Sequence, residues 1–432
     1  MKAACKRPDK TMKGNYRYTV LGLLFLATTI NYIDRQIIGL LKPTLEKEFQ
    51  WTEQDYANIV FWFQVMYAVG YFFSGRFVDK VGAKVGYGIA VLLWSIAAMA
   101  HALVKSTLGF NIVRGALGFS EGGNFPAAIK SIAEWFPAKE RSFASGFMIS
   151  GTTVGPIIAP GIVLWLAESF GWQISFIVTG ALGLVWLIAW YFLYDKPEKH
   201  KRVSEAELAF INEGKNTLFE DNKVPLGTLL NKKATWGFFI ATFLTDPVWW
   251  FYLFWLPSFL TNNGMAKNEI AVPLTVVYAV TAMLSIAGGW LSSYFIKQGW
   301  TVNRSRKITM LICVFIALPV MLIRFSNNLW LSVMIIAVAA AAQTIWKGVL
   351  LTTVADQFPR KAVSSVSGIG GLGGAVGGML AAQAVGILLD TYKANNDIQA
   401  GYSLIFVLCG LSYVVAITWF HVLSPQLKKV EV

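Results

Sequence analysis

Charged residues are scarce: Asp, Glu, Lys and Arg make up 14% of the 432 residues, against 55% hydrophobic ones. A soluble domain carries about a quarter charged residues, so this composition excludes one. Acids are scarcer than bases, 24 against 37, leaving a formal net charge of +13. Cysteine and histidine number three each, and Cys5, Cys313, Cys409, His101, His200 and His421 are scattered along the chain. That scatter offers neither a disulfide framework nor a metal-ligand spacing, so no metal and no cofactor is expected. Gly368, Gly370, Gly371, Gly373, Gly374, Gly377 and Gly378 lack the Gly-Lys-Ser/Thr ending of a phosphate loop and read as tight helix packing. No nucleophile, base and metal grouping points to an enzyme.

What is present is apolar length. Crossing the hydrocarbon takes about 20 apolar residues per helix. Twelve such segments are predicted near 18–41, 57–77, 85–104, 107–132, 143–167, 172–194, 235–260, 271–296, 307–323, 328–353, 363–389 and 400–423. The expected fold is therefore an all-α integral membrane protein. With the N-terminus in the cytoplasm, 27 Lys and Arg fall on that side, and only Lys42, Lys47, Lys105, Lys267, Arg324 and Lys393 fall opposite. The positive-inside rule accounts for the basic excess without nucleic acid and puts both termini in the cytoplasm. The first apolar run exceeds a leader in length and contains Asp34-Arg35, so it reads as a retained helix.

A polar stretch divides the spans six and six. The expected organisation is a tail at 1–17, a bundle at 18–194, a cytoplasmic linker at 195–234, a bundle at 235–423 and a tail at 424–432. Within the linker, Ser204 and Glu207 form a capping box that opens a short helix, which Gly214 ends. The halves repeat. An offset of 214 puts Ala27-Thr28 on Ala241-Thr242 and Pro43 on Pro257. An offset of 222 puts Phe136-Pro137 on Phe358-Pro359, Gly151 on Gly373 and Gly155 on Gly377. Parallel six-helix repeats with a site at their interface describe a rocking-bundle transporter.

Four ionisable residues interrupt the apolar runs: Asp34 and Arg35 in the first, Arg114 and Glu121 in the fourth. A charge at mid-span costs roughly 2.5 to 3.5 kcal/mol on insertion scales, so these residues mark a substrate or ion pathway. Arg35 presents a planar fork that matches a substrate carboxylate, which Lys cannot do; the alternative is a structural partner for Asp34 or Glu121. Asp34 and Arg35 point about 100° apart on a helix and need not pair. Arg114 and Glu121 lie two turns apart on one face, about 10.5 Å, leaving room for an ion between them; the alternative is a permanent bridge. Gly115, Gly118, Gly122 and Gly123 around Glu121 suggest close helix approach.

Residues 75–84, Gly-Arg-Phe-Val-Asp-Lys-Val-Gly-Ala-Lys, resemble the signature between helices 2 and 3 of the major facilitator superfamily. Residues 137–141, Pro-Ala-Lys-Glu-Arg, resemble a second signature. Asn31-Tyr32-Ile33-Asp34-Arg35, Arg114-Gly115, Ser120-Glu121-Gly122 and Phe125-Pro126 resemble the anion:cation symporter branch, and the run 244–257 is similar to bacterial hexuronate transporters. The resemblance implies two pseudo-symmetric six-helix bundles, a monomer in the lipid of a bacterial inner membrane, and a sugar-acid cargo moved with protons. It implies substrate contact at Arg35 and Tyr67, to which the spacing to Glu121 adds Arg114, proton coupling at Asp34 and Glu121, and a cytoplasmic gate of Gly75, Asp79, Lys80, Lys84 and Arg141. Sodium coupling, an aldonate cargo and, from another class, a sugar-acid receptor that does not transport remain as alternatives.

The repeat adds the second half of the site. Arg35 falls on Trp249 and Glu121 on Gln343, so the cavity is charged on one side and aromatic and amide on the other. A pyranose acid fits that asymmetry, with its carboxylate toward Arg35 and its ring toward Trp249, Gln343 and Trp346. Lys347 is either a second anion contact or a snorkelling residue at the helix end. Asp246, before Pro247, reads as a cap of a broken helix, and Trp250, Tyr252 and Trp255 as lipid-facing or interfacial aromatics.

Overall fold

The computed structural model describes residues 14–137, 139–213, 224–326 and 328–430. The basic tail up to position 13, Cys5, Ala138, Gly214 and the last two residues lie outside them. Sixteen α-helices are seen among the described residues. The first half holds α1 (Tyr16–Phe49), α2 (Glu53–Val81), α3 (Ala83–Ala100), α4 (Thr107–Glu121), α5 (Asn124–Trp135), α6 (Arg141–Phe170) and α7 (Trp172–Leu193). Two short helices follow, α8 (Glu205–Asn212) and α9 (Leu226–Leu230). The second half holds α10 (Lys233–Phe254), α11 (Leu256–Asn262), α12 (Ala271–Lys297), α13 (Val302–Ala317), α14 (Leu329–Gln357), α15 (Arg360–Ala394) and α16 (Ile398–Leu423). A 3-10 segment, Leu318–Phe325, extends α13.

Among the described residues, ten helical stretches are long and apolar enough to cross a membrane. The remaining two of the twelve spans are α1 and the α4–α5 pair, the ones that carry the four buried ionisable residues. Asn31, Asp34, Arg35 and Gln36 lower the hydropathy of α1, and Gly122-Gly123 splits the fourth span into helices of 15 and 12 residues.

Several helices outrun the predicted apolar segments. α1 continues to Phe49 with Pro43 inside it, and α2 begins at Glu53 under a full Thr52–Asp55 capping box. Those extra turns are polar, so hydropathy does not register them. The capping box expected in the linker is half formed: Ser204 accepts from the Glu207 amide at 3.2 Å, but the Glu207 carboxylate turns to the Arg17 amide at 3.1 Å.

The repeat reappears as packing. A Cβ on Gly151 or Gly155 of α6 would meet the Phe25 or Thr29 carbonyl oxygen of α1 at 2.8 and 2.7 Å. In the second half, a Cβ on Gly373 or Gly377 of α15 would meet the Phe239 or Phe243 carbonyl of α10 at 2.7 and 2.1 Å. These are the same pairs under the two offsets, 214 for the first helix of each half and 222 for the fifth. Even the hydroxyl bonds repeat, Thr28 to the Leu24 carbonyl and Thr242 to the Phe238 carbonyl. Close backbone approach needs glycine here because any side chain forces the helices apart. Gly377→Ala should therefore lower the thermal unfolding midpoint in detergent, at a cost of about 1–3 kcal/mol. Gly368→Ala, where a Cβ meets open space, should leave it unchanged.

The hydrogen bonds that join the two halves among the described residues all lie toward the face opposite the chain termini. Asp390 of α15 accepts from the amides of Glu53 and Gln54, both at 2.8 Å, and so caps α2 from the other bundle. Gln383 bonds Gln54 and Asn58, Lys393 pairs with Glu46, and Lys267 donates to the Pro43 carbonyl at 2.7 Å. At the face holding the termini, Asp79 pairs with Lys130 and Lys84 with Asp195, both at 3.1 Å and both within the first half.

Candidate functional site

Arg35 of α1 and Glu121 of α4 meet where the two bundles face each other, while Asp34 turns toward Thr179 of α7 inside the first bundle. Gly118 and Gly122 bring α4 onto α2, because a Cβ at either would collide with the backbone of Phe63 or of residues 67–71. That approach delivers Glu121 to Arg35. Arg35 donates Nε and Nη2 to the same Glu121 oxygen, at 3.0 and 2.9 Å, and Nη2 also reaches Asn31 at 3.3 Å. Its guanidinium lies 4.6 Å from the Tyr32 ring centroid, 4.7 Å from Tyr67, 5.2 Å from Phe63 and 5.5 Å from Trp250. The result is a cation held flat within aromatic walls, 1% exposed, with its fork aimed at a carboxylate.

The sequence offered both Arg114 and Arg35 as partners for Glu121; the structure pairs it with Arg35. Arg114 instead donates to the Asp34 and Arg35 carbonyls at 3.4 and 2.5 Å, with Phe63 against its face at 4.5 Å. It ties α4 to α1 and holds the Arg35 backbone in place. Asp34 points away from Arg35, as the 100° step requires, and neither of its carboxyl oxygens has a hydrogen-bond partner among the described residues. The second Glu121 oxygen, Asn31 Nδ2 and both amide atoms of Gln64 are also buried and unpartnered there. Each such group costs about 1–3 kcal/mol, so the Glu121, Asn31 and Gln64 atoms gathered around Arg35 and Trp250 mark a place built for a polar occupant.

In the second half, Gln343 is fully engaged within its bundle, donating to the Thr245 carbonyl at 3.0 Å and accepting from the Tyr413 hydroxyl at 2.7 Å. Trp346 is buried, edge-on to Tyr413 at 5.6 Å. Trp249 is half-buried, edge-on to Tyr278 at 6.4 Å. Lys347 is not at a helix end; it stands mid-way along α14 and pairs with Asp246. Asp246 caps nothing, since α10 runs through Pro247 and breaks only at Trp255.

The lipid-facing assignment of Trp250, Tyr252 and Trp255 is overturned. Tyr252 and Trp255 are each 1% exposed, and Trp250 reaches Arg35 across the interface. α10 packs against helices on several sides, so Trp250 and Tyr252 near its end, and Trp255 just past it, face protein rather than lipid. Gln64, which no motif marked, stands beside Trp250: a Cβ on Gly378 would meet the side chains of both. Its one sequence signal is position, an amide in the aromatic middle of α2 three residues before Tyr67, on the same face.

Of the expected gate, Arg141 donates to the Phe136 and Ala133 carbonyls at 3.1 Å each and closes off the end of α5, while Gly75 is half-buried and Lys80 exposed on α2.

Two repeated helical bundles, tied at one face over a buried charged centre, define a multi-pass membrane transport protein rather than an enzyme. The chain belongs to the Major Facilitator Superfamily, whose profile matches residues 24–382. It is 30% identical over 381 residues to the hexuronate transporter of Escherichia coli K12, covering 87% of this chain and 88% of that one. It is 27% identical over 447 residues to the probable galactarate/D-glucarate transporter GarP of the same strain, covering 98% of each. A crystal structure of a bacterial homologue of the human lysosomal transporter Spinster superposes with a TM-score of 0.77 at 19% identity, over 95% of this chain and 98% of that one. That likeness shows the fold alone.

Proposed function

We propose that this protein imports a hexuronate together with a proton across a bacterial inner membrane by alternating access, with both termini cytoplasmic. The observation that carries the reading is the Arg35 fork, framed by aromatic rings and occupied by one oxygen of Glu121 while the other oxygen has no partner. A sugar-acid carboxylate and Glu121 compete for the same donors. When Glu121 takes up a proton it releases its charge-assisted hold, and Arg35 turns to the substrate. When the substrate leaves, Glu121 gives up the proton and closes on Arg35 again. Cargo and proton thereby require each other.

Other features support the same reading. The unpartnered amide of Gln64 and the free Nδ2 of Asn31 suit ring hydroxyls, and Trp249 and Trp250 suit the C–H faces of a pyranose. Asp34 is a second buried carboxyl without a partner, so one or two protons are consistent with the site. One proton with a monoanion moves no net charge, whereas a second draws about 2.3 kcal/mol per 100 mV from the membrane potential. With the basic loops cytoplasmic, the bundle ties lie on the outer face, which supports an inward-facing state.

Counterflow in proteoliposomes tests the cargo. Labelled glucuronate and galacturonate should exchange readily and galactonate more slowly. Binding without exchange would make the protein a receptor. Trp249→Ala should compress the preference among these acids more than it weakens carboxylate binding in general; an unchanged profile with normal expression would take Trp249 out of the cavity.

A further inference from the structure

Asp246 and Lys347 have no part in that cycle, yet they form an ion pair in the middle of the second bundle, from the interiors of α10 and α14. The 214 offset makes Asp246 the counterpart of Tyr32, whose ring carries Arg35. The two positions are therefore equivalents in the two halves, one beside the Arg35 cation and the other carrying an anion. Asp246 has little freedom to turn away, because Gly374 of α15 is so close that a Cβ there would fall 2.0 Å from its carboxylate. Lys347 keeps 34% of its side chain exposed while Asp246 keeps 14%, so the pair opens on its lysine side.

We propose that the Asp246–Lys347 pair is a charge filter that restricts the cargo to sugar acids with a single carboxylate and turns away their diacid relatives, the aldarates. The proposal rests on the sugar-acid reading and deepens it. At the centre, Arg35, Arg114 and Lys347 stand against Asp34, Glu121 and Asp246, and their formal charges cancel. One carboxylate arriving with one proton preserves that balance. An aldarate with its first carboxylate on Arg35 carries the second across the cleft toward the other bundle. Taking that group out of water costs several kcal/mol, which only a net positive site offsets. Lys347 alone is such a site; Lys347 already neutralised by Asp246 is not, and Asp246 repels the incoming charge. A lone lysine at this position would invite diacids, and the paired aspartate cancels the invitation.

The test compares galactarate with unlabelled glucuronate as inhibitors of labelled glucuronate counterflow, in wild type, Asp246→Asn and the double variant Asp246→Asn/Lys347→Gln. The ratio of the two half-inhibitory concentrations should be roughly 100 in wild type, fall at least about tenfold in Asp246→Asn and rise again in the double variant, whose second bundle is neutral once more. An unmoved ratio in Asp246→Asn, or wild type that accepts galactarate as readily as glucuronate, overturns the proposal. Lys347→Gln serves where Asp246→Asn does not fold. It leaves Asp246 alone opposite the second carboxylate, so the ratio should rise, and an unchanged ratio again overturns the filter. Wild-type vesicles that exchange none of glucuronate, galacturonate, galactonate and galactarate would overturn the sugar-acid reading itself, and the filter with it.

Discussion

Arg35→Lys should weaken glucuronate binding roughly 10- to 100-fold, because a hydrogen bond to a charged group contributes about 1.5–3 kcal/mol and each 1.4 kcal/mol is tenfold. The substitution keeps the positive charge and some attraction to the Tyr32 and Tyr67 rings. What it removes is the planar pair of donors that now grips Glu121 at 3.0 and 2.9 Å. If charge alone recruited the anion, lysine would serve. The concentration dependence of counterflow gives the answer, and wild-type affinity in this variant would remove Arg35 from the carboxylate contact.

Glu121→Gln should abolish accumulation driven by a pH difference while leaving substrate exchange intact. Glutamine imitates the protonated carboxyl in shape and cannot release a proton, so Arg35 stays available to substrate and the carrier shuttles only when loaded. The structure sharpens this expectation, since Glu121 holds Arg35 rather than Arg114; its replacement frees the substrate-binding fork directly. Asp34→Asn is the companion. Asp34 has no cationic partner, and if it carries a second proton, its variant should still accumulate substrate but with a changed dependence on membrane potential. Concentration of substrate by Glu121→Gln under an imposed pH difference would move the coupling site to Asp34.

The fold was legible because membrane insertion forces apolar length and tight packing forces glycine, and both leave plain marks in a sequence. The two offsets read from residues such as Gly151 and Gly373 return as matching backbone contacts between α1 and α6 and between α10 and α15. Half of the site was legible for a related reason: a charge in an apolar run is conspicuous, so Asp34, Arg35, Arg114 and Glu121 stand out. Their pairing was not. Spacing along α4 puts Glu121 in line with Arg114, but partner choice depends on how Gly118 and Gly122 seat α4 against α2 and α1, which no single helix reveals. Trp250 was misjudged because an aromatic in a spanning helix looks the same whether it meets lipid or a neighbouring bundle. Gln64 carries no charge and so raised no signal, although burial without a partner makes it conspicuous in three dimensions. The polar turns at Lys42, Glu46 and Glu53 lie beyond the apolar runs, where hydropathy is silent; Lys42 links the other two, and Glu46 and the Glu53 amide reach Lys393 and Asp390 of the other bundle.

Coupling is the centre of the account, and one measurement addresses it. Purified protein in tightly sealed proteoliposomes is given an alkaline interior, no sodium and labelled glucuronate outside, with internal pH followed by a trapped dye. The account predicts that glucuronate accumulates above its external concentration and that its entry acidifies the lumen, both effects vanishing in Glu121→Gln. Accumulation that ignores the pH difference and appears only when an inward sodium gradient is supplied would contradict it.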